Sequence, residues 1–166
     1  MSKEFDRRVA EARERALAEK QRLVDKNEAA KESAERISAA VADAIEQWDK
    51  RIVPLINQVV EAANKQLHGS GTRLVAAKNH GQLIDERPVA ARDLPFVEIF
   101  GTPENSPTIR RDTRAPHLRI SVEWTSEIRT AVNKGIVIHH TDFFPANFNQ
   151  HQLEEAIADF IDMIVG

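Results

Sequence analysis

From Lys3 to Leu67 apolar and charged positions alternate at helical spacing, with no glycine before Gly69 and one proline, Pro54. Ala, Glu, Lys, Arg and Gln dominate this stretch, and all are strong helix formers. Ser2 stands at the N-cap, and Glu4 and Asp6 in the first turn oppose the positive end of the helix dipole. The pairs Glu4–Arg8, Glu11–Arg15 and Glu32–Arg36 add a few tenths of a kcal/mol each.

The apolar spacing divides this segment in two. Phe5, Val9, Ala12, Ala16 and Leu23 begin as a heptad, but Glu19, Lys26 and Ser33 are poor seam residues. From Ile37 the stripe is richer: Ile37, Val41, Ala44, Ile45, Trp48, Ile52, Leu55, Val59 and Ala63. Its spacing, nearer ~3.67 than ~3.5, predicts a straight helix lying on a core. Ile37–Leu67 is therefore the expected buried half, and Ser2–Arg36 the polar half. Pro54 lacks a backbone donor, which predicts a kink near Lys50–Val53 or a new helix starting at Pro54. His68-Gly69-Ser70-Gly71 predicts the stop.

Strand patterns follow. Arg73–Asn79 and Phe96–Phe100 read as strands, the second closed by Gly101-Thr102-Pro103; Gly81–Asp93 and Glu104–Pro116 read mainly as loops. Leu118–Trp124 alternates most clearly, with Leu118, Ile120, Val122 and Trp124 on one side and Arg119, Ser121 and Glu123 on the other. That predicts an antiparallel strand with one covered face. Ile128–Val132 and Ile136–Thr141 flank Asn133-Lys134-Gly135, a three-residue hairpin loop with a bulge. Asn149 and Gln152 form a capping-box pair, and Phe148 and Leu153 a hydrophobic staple. The helix they start carries Leu153, Ala156, Ile157, Phe160, Ile161 and Ile164 on its apolar face.

The expected fold is α+β: a long N-terminal helix, an antiparallel meander of four or five strands and an amphipathic C-terminal helix, in a two-layer sandwich. Trp48 and Trp124 are expected to meet in the core, and Phe143, Phe144 and Phe148 to plug it around Pro145. Residues 1–36 form a charged helical extension and residues 37–166 the head. Some 65 helical residues would span roughly 100 Å. A head of about 130 residues is only some 30–40 Å across. The length mismatch favours pairing of the first half with another chain, as a homo-oligomer of two or more copies, over a solvated extension.

Composition narrows the function. Among 166 residues, 42% are hydrophobic, too many for wholesale disorder. The net charge is −3, and the first 68 residues are neutral, so residues 69–166 carry all of it. That balance disfavours nucleic acid and anionic membranes as partners. With no cysteine, disulfides and thiolate chemistry are excluded. No apolar run approaches the roughly 20 residues of a membrane helix, and the first residues lack a signal-peptide core. A cytoplasmic protein is expected.

Two constellations bear on chemistry. Arg110, Arg111, Arg114 and Arg119, with His117 among them, form a cluster opposed locally by Asp112. Guanidinium forks suit carboxylate or phosphate, so this is the candidate anion- or partner-binding site, against the simpler reading of a solvated charged face. His139, His140 and Asp142 form the second group. Adjacent histidines on a strand point to opposite faces, and no His-x-His spacing anchors a metal, so no metal or other cofactor is assigned. No serine lies in a nucleophile elbow, and Gly69 and Gly71 end a helix and do not build a phosphate loop. The leading expectation is a non-enzymatic, self-associating protein whose head binds a protein segment or an anion. The alternatives are a small metal-dependent enzyme using His139, His140 and Asp142, and a structural filament component.

Overall fold

The computed structural model describes residues 2–78, 94–106 and 115–166. The chain divides into two compact units, Met1–Ala39 and Ala40–Gly166. Helix α1 runs from Lys3 to Gln47. In the first unit every described residue is exposed. At 100° per residue, Phe5, Val9, Ala12, Ala16, Leu23 and Ile37 fall within about 40° of one line along the helix. Glu11 pairs with Arg15 and Glu32 with Arg36 as expected, whereas Glu4 takes Arg7 at 2.8 Å in place of Arg8.

In the second unit α1 gives way to a single π-helical turn, Trp48–Ile52, and then to α2, Val53–Leu67. Val53 donates to the carbonyl of Trp48, five residues back. The wider turn brings the chain to Pro54, at the start of α2, where a missing donor costs little. It also explains the core stripe. Ala44, Trp48, Ile52 and Ile56 recur every four residues and all are buried, a spacing that would drift around an unbroken α-helix. Burial thus begins at Ala44, later than expected: Ile37 is 49% and Ile45 36% exposed. Arg51 anchors the turn by donating to the carbonyls of Phe148 (2.6 Å) and Pro145.

Five strands follow: β1 (Thr72–Lys78), β2 (Phe96–Pro103), β3 (His117–Val122), β4 (Ile128–Asn133) and β5 (Val137–Phe143). They form one antiparallel sheet in sequence order, with β1 and β5 at its edges. A short 3-10 turn, Pro145–Asn147, leads to α3, Gln150–Val165. The fold is α+β, as the hydrophobic pattern predicts. One sheet face contributes Leu74, Val97, Ile99, Leu118, Ile120 and Ile128 to the core. The helices add Trp48, Ile52, Ile56, Leu153, Ile157 and Phe160. The start of α3 matches expectation in detail: Asn149 accepts from the His151 amide at 2.9 Å, and Gln152 accepts from the Asn149 amide at 3.2 Å. The staple residues Phe148 and Leu153 are fully buried.

Four local expectations fail. Trp124 does not join Trp48 in the core; it is 67% exposed. The Glu123 amide bonds to the Glu127 carbonyl and the Ser126 amide to the Glu123 carbonyl, so the strand ends at Val122 and Trp124 lies in the turn. Phe144 is 65% exposed, while Phe148, with its ring 5.6 Å from that of Phe143, is the plug. The β4–β5 loop is shifted by one residue. Asn133 stays paired with Val137, Gly135 takes φ +76°, and the register irregularity falls between Val132 and Asn133. Nor is only one sheet face covered, because Phe96, Glu98, Phe100, His117 and Ser121 on the other face are buried as well.

Candidate functional site

Of the arginine cluster, Arg110, Arg111 and Arg114 lie outside the described residues. Arg119 sits on β3, on the sheet face away from the helices. Its guanidinium carbon lies 3.8 Å from the centre of the Phe96 ring, and Nη1 lies 3.8 Å from Glu98 Oε1. His117 Nε2 lies 3.9 Å from the same oxygen. Those separations are too long for hydrogen bonds. His117 Nδ1 is 3.1 Å from the Ala115 carbonyl, and its ring packs at 5.2 Å on Phe100. Strand pairing builds this group, since Glu98 faces Arg119 and Phe100 faces His117 across β2 and β3. Glu98 is only 4% exposed. Its signal in the sequence is slight: a lone carboxylate inside the apolar run Phe96-Val97-Glu98-Ile99-Phe100. Arg119 thus already has a carboxylate and an aromatic face as partners within the fold.

The register separates the two adjacent histidines. His139 pairs with Val132 and His140 with Ala131, which sends His139 to the core side and His140 to the other. Asp142 shares a face with His140, but Arg129 holds it through two bonds, Nε–Oδ1 at 2.6 Å and Nη2–Oδ2 at 3.0 Å. That bidentate hydrogen bond holds the Asp142 carboxyl below the ordinary aspartate value. Among the described residues no three His, Asp or Glu side chains come close enough to hold a metal ion.

Gly69 and Gly71 end α2 with φ of +82° and +85°. They also make an anion nest that the protein itself fills. The Gly69 and Gly71 amides donate to the Glu104 carboxylate at 3.0–3.2 Å, and His68 Nδ1 lies 2.8 Å from it. The Gly69 amide is the main reason that the Glu104 carboxyl is held low.

The two sheet edges differ. On β1, Ser70 Oγ accepts from the Thr72 amide and donates to the Thr72 carbonyl. Asn64 does the equivalent at Leu74, with Nδ2 donating to the carbonyl at 2.9 Å and Oδ1 accepting from the amide at 2.7 Å. Side chains thus occupy backbone groups of that edge. On β5, every residue from Val137 to Asp142 is exposed, and Ile136, Val137 and Ile138 are 76%, 55% and 54% exposed. Under the same end of the sheet a cleft of about 250 Å³ runs between β4, β5 and α3.

Comparison with protein-family models, curated proteins and solved structures finds no match. Among the described residues no helix is long and apolar enough to cross a membrane.

Proposed function

We propose that this protein is a non-enzymatic, self-associating binding protein whose head takes up an extended protein segment along β5. The observation that carries this reading is the edge strand, with Ile136, Val137 and Ile138 turned to solvent on a strand that pairs with β4 alone among the described residues. Natural edge strands are usually blunted by charge, proline or a covering element, whereas an apolar open edge suits strand addition. The Phe5–Ile37 stripe on α1 supports self-association, being apolar, aligned and exposed.

Peptides selected from a random library on the full chain test the head. Peptides with alternating apolar residues should be enriched, and the paired exposed-site changes Val137→Lys and Ile138→Lys should abolish their binding. Binding indifferent to both changes refutes the β5 assignment. Light scattering after size exclusion tests α1, and a monomer at tens of micromolar removes self-association. Growth with concentration beyond a closed dimer or tetramer turns the reading toward a filament component. The competing head ligand, an anion held by Arg110, Arg111, Arg114 and Arg119, predicts that a quadruple alanine variant loses partner binding while the β5 changes do not.

A further inference from the structure

Helices α2 and α3 leave an apolar groove of about 550 Å³ between them. Val59 and Ile157, both buried, form its floor, and its sides include Ala62, Ala158 and Ile161. Glu154 stands at its α3 rim. That helix also carries Glu155, Asp159 and Asp162, all exposed, and has no lysine or arginine. The groove is therefore apolar inside and acidic along one side.

The exposed stripe on α1 has the opposite charge around it. Phe5 and Val9 are each 51% exposed, and Ala12 follows on the same line. Arg8, Arg13, Arg15, Lys20 and Arg22 fall about 60–100° to either side of that line, at the 100° step of an α-helix. Glu11, Glu14, Asp25, Glu28 and Glu32 lie about 120–180° away from it. Between Arg8 and Arg22 only Glu19 breaks the pattern. Set against itself, this stretch would put base against base along its flanks, whichever way the two helices ran. Set against the groove, the same bases meet carboxylates. The lengths also match: Phe5 to Ala12 covers about 10 Å of helix and Val59 to Leu67 about 12 Å.

We infer that the Phe5–Ala16 stretch of α1 docks in the α2–α3 groove of a second copy. This rests on the self-association reading above and names the surface that receives α1. Phe5, Val9 and Ala12, at i, i+4 and i+7, are the anchors of a helix laid in an apolar groove. Ala12 and Ala16, meeting Ala62 and Ala158, let the helices approach closely. One basic flank, either Arg8 with Arg15 or Arg13 with Lys20, meets the α3 carboxylates; the direction of docking decides which. The two surfaces differ, so the contact is heterologous: it closes a dimer where it is reciprocal and gives open chains where it is not.

The test is charge exchange in the full chain. One variant carries Arg8→Glu, Arg13→Glu and Arg15→Glu; the other carries Glu154→Lys and Asp162→Lys, all at exposed positions. By light scattering across a concentration series, each alone should self-associate roughly tenfold or more weakly than the parent. Their equimolar mixture should recover most of the parent's affinity, because each reversed surface then finds its opposite. Unchanged helical circular dichroism shows that both variants fold. Because the chain has no cysteine, Val9→Cys on one copy and Ala62→Cys on another can be oxidised together. The mixed cross-link should form ahead of either like pair. A parent that is monomeric at tens of micromolar overturns this inference and the self-association reading together. A parent that assembles overturns the groove alone if the groove variant is unaffected, if the mixture shows no recovery, or if two Val9→Cys chains link to each other preferentially.

Discussion

Asn64→Ala is the substitution for which the structure makes the sharpest demand. Asn64 imitates a neighbouring strand, giving Leu74 one donor and one acceptor at 2.9 and 2.7 Å. Leu74 itself is only 2% exposed, so its amide and carbonyl depend on this side chain. Each hydrogen bond contributes about 0.5–1.5 kcal/mol net, and each buried group left unsatisfied costs about 1–3 kcal/mol. Two groups give a range of about 2–6 kcal/mol; Asn64 is half-buried, so water fills part of the gap and the lower end, about 2 kcal/mol, is expected. The assay is urea unfolding followed by near-ultraviolet circular dichroism, which reports the buried Trp48 more than the exposed Trp124. With a slope of about 1–3 kcal/mol per molar, the midpoint should fall by roughly 1 M at unchanged slope. Asn64→Asp keeps the acceptor but sets a carboxylate against the Leu74 carbonyl, and should cost at least as much. A change below about 0.5 kcal/mol for Asn64→Ala, the scale of an ordinary surface substitution, refutes the argument.

Other outcomes follow from the same contacts. Asn149→Ala removes the cap on the His151 amide and should destabilise the head by about 1 kcal/mol in the same assay. Phe160→Ala empties a fully buried site on α3 and should cost about 3–5 kcal/mol, with thermal unfolding as the check. Asp142→Asn breaks the bidentate bond with Arg129, a half-exposed pair contributing about 1 kcal/mol or less at neutral pH. The Asp142 carboxyl is held below 3.8 in the folded protein, so its contribution is whole above that pH and is lost as pH falls through the lowered value. The stability gap between the variant and the parent should therefore close on acidification below about pH 4, and a gap independent of pH contradicts the pairing.

What the sequence determined by itself was everything carried by local period and local chemistry. Helical spacing marked the long N-terminal helix, and period-two alternation marked β3. The Asn149–Gln152 cap and the Phe148–Leu153 staple were legible because each is completed within five residues. Pro54 announced a break, but not that a π-turn would absorb it and hold Trp48, Ile52 and Ile56 on one side. Trp124 misled because alternation carries no information about where a strand stops; the Glu123–Glu127 turn decided that.

The candidate sites were less legible, because their partners come from distant parts of the chain. Glu98 meets Arg119 only through the β2–β3 register, and Asp142 meets Arg129 only through that of β4 and β5. Asn64 can close the β1 edge only once α2 packs beside it, and Glu104 can fill the Gly69–Gly71 nest only once β1 and β2 pair. That side chains occupy backbone groups of Thr72 and Leu74 on the β1 edge, while β5 pairs with β4 alone among the described residues, is for the most part written in no local pattern. Tertiary structure decided it, because an edge is defined by which backbone groups the rest of the fold leaves without a partner.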